Sequence, residues 1–252
     1  FQLTGEITQG SLVIGKTNNN NRVFLDEQLL KVSNDGYFTF GFGRDDTVSQ
    51  LLKIVSPDGK AETKTLTPSV RTYKTQKVNG IAEKIMNPDP KSVERAQQDN
   101  AKIAAVRKID SDLPAFSQGF IAPINGTITG VYGSQRIYNG VPKRPHFGLD
   151  YAGKTGDPVK APADGVIILN VPDMFYSGGT LIIDHGHGVT STFLHLSKTY
   201  IKVGDKVKQG DVIAAVGASG RATGPHLDWR INWFDVRLDP QLVLNIKPKK
   251  QN

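Results

Sequence analysis

The chain has 252 residues with 31 Lys and Arg against 24 Asp and Glu, a formal charge of +7, and no cysteine. Without cysteine there is no disulfide and no thiolate zinc site, so any metal must be held by His, Asp or Glu. No apolar run approaches the roughly 20 residues of a membrane-spanning helix, and no stripe of basic residues interleaved with aromatics points to nucleic acid.

The length predicts two domains, and 26 glycines with frequent short apolar runs predict a mainly β protein. Residues 1–72 read as short strands. Ser11–Gly15, Val23–Leu25, Leu29–Val32, Tyr37–Phe40 and Leu51–Val55 are separated by turn signals at Asn34-Asp35-Gly36 and Pro57-Asp58-Gly59. This spacing predicts a small antiparallel sandwich, a binding, spacing or stabilising domain with no histidine. Residues 73–117 read as a helical connector. Asp89 is placed to cap a helix and Pro90 to open it, with apolar residues Val93, Ala96, Ile103 and Val106 before an end near Ile109.

Residues 118–252 form the second β domain. Strands are expected at Gly126–Tyr132, Gly165–Val171, Thr180–Asp184, Val189–Leu196 and Asp211–Val216. Two related Gly-Asp turns, Gly204-Asp205 and Gly210-Asp211, mark a sheet corner. Thr223-Gly224-Pro225 leads into a strand in which Leu227, Trp229, Ile231 and Trp233 alternate with polar residues. That alternation puts His226 and Asp228 together on the face opposite the core, about 7 Å apart along the strand.

All five histidines fall between residues 146 and 226. His146 and Asp150 share one face of an extended segment but would lie about 13 Å apart if it were straight. A common ion therefore requires a bend, which Gly148 permits. Each pair has a plainer reading. His146 and Asp150 can be a hydrogen-bonded structural pair, Asp228 can form a salt bridge with Arg230, and His195 can be a satisfied core residue. His185 and His187, in Asp184-His185-Gly186-His187-Gly188, read as turn residues with structural or surface roles. Together, however, His146, Asp150, His195, His226 and Asp228 are the groups a zinc hydrolase needs: ligands, with imidazoles to move protons beside them.

Residues 118–246 resemble the lysostaphin-type (LytM-like) zinc metallopeptidases, which cut peptide cross-links of bacterial peptidoglycan. The likeness rests on His146-x-x-x-Asp150, on Phe193-Leu194-His195-Leu196 and on Thr223-Gly224-Pro225-His226-Leu227-Asp228. Ala161–Gly165, Ile183–Gly186 and Val203–Gly210 match as well. The resemblance implies an antiparallel β-sheet peptidase domain with one Zn2+ per chain. It implies His146, Asp150 and Asp228 as metal ligands, and His195 and His226 as catalytic residues. Peptidoglycan peptide stems would be the substrate. The bond would be D-Ala–diaminopimelate, or Gly-Gly in a glycine-bridged wall.

The chain departs from the family pattern at Asp228, where His is usual. A carboxylate is an accepted zinc ligand but adds negative charge beside the ion. The alternative is a catalytically inactive LytM-like scaffold or activator of other cell-wall hydrolases. A biotinyl- or lipoyl-type carrier, suggested by the Gly-Asp turns, lacks the lysine at a hairpin tip and leaves the His and Asp set unexplained. A periplasmic or otherwise exported protein is expected. The start at Phe1, with no signal-like segment in this chain, reads as a mature or trimmed form.

Overall fold

The computed structural model describes residues 1–80 and 86–247. Lys249 and Lys250, part of a basic tail in the sequence, lie outside the described residues. Seven short strands come first: β1 (Gln2–Thr4), β2 (Leu12–Lys16), β3 (Arg22–Leu25), β4 (Gln28–Leu30), β5 (Tyr37–Gly41), β6 (Gln50–Val55) and β7 (Ala61–Leu66). They form two antiparallel sheets, ordered β1-β2-β5 and β4-β3-β6-β7. The turn before β5 needs glycine, because Gly36 has φ 81° and a Cβ there would overlap the Thr17 carbonyl. Phe38, Phe40 and Phe42 are fully buried. Between them, Gly41 leaves room for Leu238 from the far end of the chain, whose Cδ2 would stand 2.7 Å from an added Cβ.

The segment expected to be a helical connector begins instead as a strand, β8 (Thr75–Val78). Helix α1 (Pro90–Val106) follows. Asp89 caps it, Oδ1 accepting from the Ser92 N–H at 2.9 Å, and Pro90 opens it. The helix stops at Val106, short of Ile109. Val93 is exposed rather than part of the packing stripe; Ile103 and Val106 do pack, on Leu169, Met174 and Ile182. Buried Asp99 ties the helix down by accepting from the Phe175 N–H at 2.8 Å.

The remaining elements are β9 (Ile128–Gly130), β10 (Gln135–Tyr138), β11 (Val141–Lys143), β12 (Leu149–Ala152), β13 (Pro158–Lys160), β14 (Gly165–Met174) and β15 (Gly178–Gly186). After them come β16 (Val189–Leu196), β17 (Lys198–Thr199), β18 (Lys206–Val207), β19 (Val212–Ala215), β20 (His226–Trp233), β21 (Val236–Leu238) and the short helix α2 (Pro240–Leu244). One antiparallel sheet runs β18-β14-β15-β16-β20-β12-β9, with β21 added on β20. A smaller sheet, β13-β19-β17, forms the corner. The repeated Gly-Asp phrase makes the same turn twice: Asp205 accepts from the Lys202 N–H at 2.9 Å, and Asp211 from the Lys208 N–H at 2.8 Å.

The alternation read in β20 holds in space, with Leu227, Trp229 and Ile231 fully buried. These side chains belong to one apolar cluster that also contains Val13, Phe40 and Phe42 from the N-terminal sheets. Arg71 joins the two halves as well, its Nη2 standing 2.8 Å from Oδ2 of buried Asp239. β8 pairs with β10 in parallel, Thr75 opposite Gln135 and Lys77 opposite Ile137. This parallel pair departs from the all-antiparallel expectation, and its strands come from distant parts of the chain. Among the described residues no helix is long and apolar enough to cross a membrane.

Candidate active site and metal centre

Strands β12 and β20 pair in a register that sets Asp150 directly opposite Asp228. Residues opposite one another in an antiparallel pair share a face, so the two carboxylates meet. His146 lies just ahead of β12, held by main-chain hydrogen bonds from its N–H to Ser134 O (2.9 Å) and to its own carbonyl from the Gly133 N–H (2.7 Å). Its Nδ1 stands 3.2 Å from Val131 O. A carbonyl only accepts, so Nδ1 carries the proton and Nε2 is turned toward the carboxylates.

His146 Nε2 lies 3.1 Å from Asp150 Oδ1 and 3.5 Å from Asp228 Oδ2. Nε2 and Oδ1 are buried, yet neither makes a hydrogen bond. One ligand atom from each of the three residues falls within 4.8 Å of the others. Orphaned buried donors and acceptors converging on one point are what a bound cation satisfies, and an imidazole with two carboxylates is a donor set suited to zinc. Burial works against charge on His146, but the nearby Asp150 and Asp228 carboxylates outweigh it and push the imidazole up to about 9.

Two glycines give the carboxylates their room. A Cβ on Gly148 would overlap Asp228 Oδ1, and one on Gly130 would overlap Asp150 Oδ2. The sequence suggested Gly148 as a place for the chain to bend; its demonstrable role is to vacate the volume that Asp228 fills.

Asp228 is both near the cluster and in the salt bridge that the sequence offered as the plainer reading. Arg230 Nε donates to Oδ1 at 3.0 Å and Nη2 to Oδ2 at 2.6 Å. Burial alone would raise the Asp228 carboxyl; Arg230 and His146 hold it well below the usual carboxylate range. The Asp228–Arg230 pair carries no net charge, the same as a neutral imidazole.

His195, the last residue but one of β16, has φ 64°, a conformation rare for a residue with a side chain. Its Nδ1–H donates to Ser219 O at 2.8 Å, and His226 Nδ1–H donates to Gly224 O at 2.9 Å. Both imidazoles therefore carry their lone pair on Nε2. The rings lie 4.8 Å apart, and burial depresses the pKa of His195, so it rests neutral. The pair can take up and return a proton.

His185 and His187 are not at the surface. His185 is fully buried, Nδ1–H donating to Asp164 O at 2.7 Å and Nε2 standing 2.8 Å from Ser191 Oγ. Burial pushes it down to about 4. His187 packs on Phe116 with ring centroids 4.5 Å apart. Neither joins the cluster of His146, Asp150 and Asp228. The sequence reading missed Arg136, whose Nη2 lies 3.8 Å from Asp150 Oδ2; no motif marks it, because only the β10 hairpin brings it there.

Residues 144–240 match the family model described as peptidase family M23. Over this stretch the chain is similar to the M23 peptidases. Its M23 segment is 42% identical over 89 residues to peptidoglycan DD-endopeptidase ShyA of Vibrio cholerae, a match covering 34% of this chain and 20% of that protein. It is 44% identical over 91 residues to DD-carboxypeptidase/endopeptidase Mpg of Neisseria gonorrhoeae, covering 35% and 21%. The matches thus span about a fifth of the length of these curated relatives. A candidate M23 peptidase from Pseudomonas aeruginosa shares the architecture beyond the M23 domain, with a TM-score of 0.74 at 26% identity over 96% of each chain.

Proposed function

We propose that this chain is a zinc metalloendopeptidase that hydrolyses peptide cross-links of bacterial peptidoglycan at the D-Ala–diaminopimelate bond, in the periplasm or elsewhere in the cell envelope. His146, Asp150 and Asp228 would hold one zinc ion, and His195 and His226 would handle protons. The observation that carries the reading is the convergence of three ligand atoms within 4.8 Å, two of them buried without a hydrogen bond. The M23 match and the named peptidoglycan endopeptidases among the relatives support it.

When bound, zinc supplies Lewis-acid polarisation of the scissile carbonyl and acidifies water. The chain's own residues do the rest. His146 keeps Nε2 free by donating Nδ1–H to Val131 O. Arg230 orients Asp228 and offsets its charge. His195 or His226 accepts the proton of the attacking water at Nε2 and, as imidazolium, returns it to the leaving amine nitrogen. Main-chain carbonyls on both Nδ1 atoms fix the tautomer this requires.

The test is zinc content of the purified chain together with release of peptides from purified peptidoglycan. One equivalent of zinc with chelator-sensitive cleavage is expected. No zinc and no cleavage, even with metal added, would overturn the reading in favour of an inactive scaffold.

A further inference from the structure

The segment between Ser219 and Gly224 carries both carbonyls that hold the two imidazoles. Arg221 sits between them. Its N–H donates to Tyr176 O at 2.9 Å, and its guanidinium lies 3.6 Å from the Tyr176 ring centroid. Tyr176 belongs to the β14–β15 turn, which is itself stitched to the site. Ser177 O accepts from the His195 N–H at 2.8 Å, and the Gly179 N–H donates to Ser219 Oγ at 2.9 Å. Arg221 is thus fixed to the structure that positions His195. Among the described residues no carboxylate pairs with it.

The other wall is β10. Arg136 Nη1 lies 3.4 Å from the Tyr138 hydroxyl, Arg136 Nη2 lies near Asp150, and Arg136 Nε is buried without a partner. Arg221, on the segment that holds both imidazoles, and Arg136, beside Asp150 with the Tyr138 hydroxyl, thus border the site from two elements.

A guanidinium stacked flat on an aromatic ring keeps its in-plane N–H edge for a planar acceptor, and a carboxylate fits that edge with two parallel hydrogen bonds. In a D-Ala–diaminopimelate cross-link, the carbon bonded to the scissile nitrogen carries a free carboxylate. A Gly-Gly bond within a glycine bridge has no such group. We propose that Arg221, assisted by Tyr138 and Arg136, binds the substrate carboxylate beside the scissile amide and so selects diaminopimelate cross-links over glycine bridges. The inference rests on the peptidase reading above.

The test uses the full chain stripped of metal, so that binding is read without hydrolysis. The probes are two synthetic D-Ala–diaminopimelate cross-linked peptides, one with the carboxylate beside the scissile amide free and one with it converted to carboxamide. Calorimetric titration of the wild type should show at least tenfold tighter binding of the free acid. Arg221→Gln should abolish the preference, Arg221→Lys should keep part of it, and Tyr138→Phe should reduce it. Circular dichroism should show all three folded.

Equal binding of the twin peptides by the wild type, binding of neither, or the full preference retained in Arg221→Gln would overturn the proposal. Cleavage by the zinc-loaded chain separates this from the function itself. Arg221-dependent binding without cleavage sinks the peptidase and leaves the carboxylate site standing. Equal cleavage of both peptides, independent of Arg221, does the reverse.

Discussion

Arg230 grips Asp228 through both carboxylate oxygens, at 3.0 and 2.6 Å, while Oδ2 of the same carboxylate stands 3.5 Å from His146 Nε2. The family's usual imidazole at this place is neutral. Here an acid and a base two residues apart on β20 would supply a ligand oxygen with the same net charge.

If Asp228 faces the proposed zinc ion, this coupling makes stability depend on metal. Arg230→Met leaves buried Asp228 with only His146 beside it, at a cost on the order of 3 kcal/mol to the metal-free chain. Zinc takes over the role of counter-charge, so the deficit should shrink when urea unfolding is repeated with zinc present. An equal loss with and without zinc would show that Asp228 does not face the ion. Zinc competition should further show binding lost in Asp228→Ala and kept in Asp228→His.

Gly148→Ala should weaken zinc binding about tenfold or more while leaving the fold intact. The added methyl meets Asp228 Oδ1, the end of a side chain, rather than backbone, so the carboxylate is displaced and the strand pairing is not. Zinc affinity by chelator competition, beside a thermal melt, separates the two effects. Unchanged affinity would mean that the displaced oxygen is not needed.

The N-terminal sheets and the M23 half share a core, so deleting residues 1–72 should destabilise the remainder. It would bare the apolar surface at Leu238 and leave buried Asp239 without Arg71. Arg71→Met alone should cost about 3 kcal/mol in urea unfolding at neutral pH. Should the truncated chain melt at the temperature of the whole, the shared core contributes nothing to the M23 half.

His185 predicts a loss of stability in mild acid. Its folded pKa is about 4, against 6.5 for the free side chain. Between these values the unfolded chain takes up the proton and the buried imidazole does not. Stability is therefore full above about pH 6.5 and falls as pH drops toward 4, by up to about 3 kcal/mol from this group. Urea unfolding across that range should show the slope, and His185→Gln should flatten it even if it lowers stability throughout. A slope unchanged in the variant would assign the effect elsewhere.

Much of this was legible in residue order. β20 announced itself through period-two alternation, and that alternation put His226 and Asp228 on the face away from Leu227 and Trp229 because successive strand side chains must point opposite ways. Asp89 and Pro90 marked the start of α1 through capping chemistry that is local to four residues. The end of α1 was misjudged, and Val93 left solvent-facing, because packing on β14 rather than helix propensity decides which face is buried. β8 went unread as a strand because its only described partner, β10, lies about 60 residues away and pairs with it in parallel.

The same division runs through the site. Sequence by itself determined the chemical inventory: no thiols, a His-x-x-x-Asp pair, and a His-x-Asp pair on one strand face, all local facts of spacing and side-chain chemistry. Only the tertiary structure decided that Asp150 lies opposite Asp228, that Gly130 and Gly148 clear the space for them, and that Arg136 comes to lie beside Asp150. Register between strands and the approach of loops are long-range outcomes of burying one continuous core, and no local pattern encodes which distant cation ends up beside which acid.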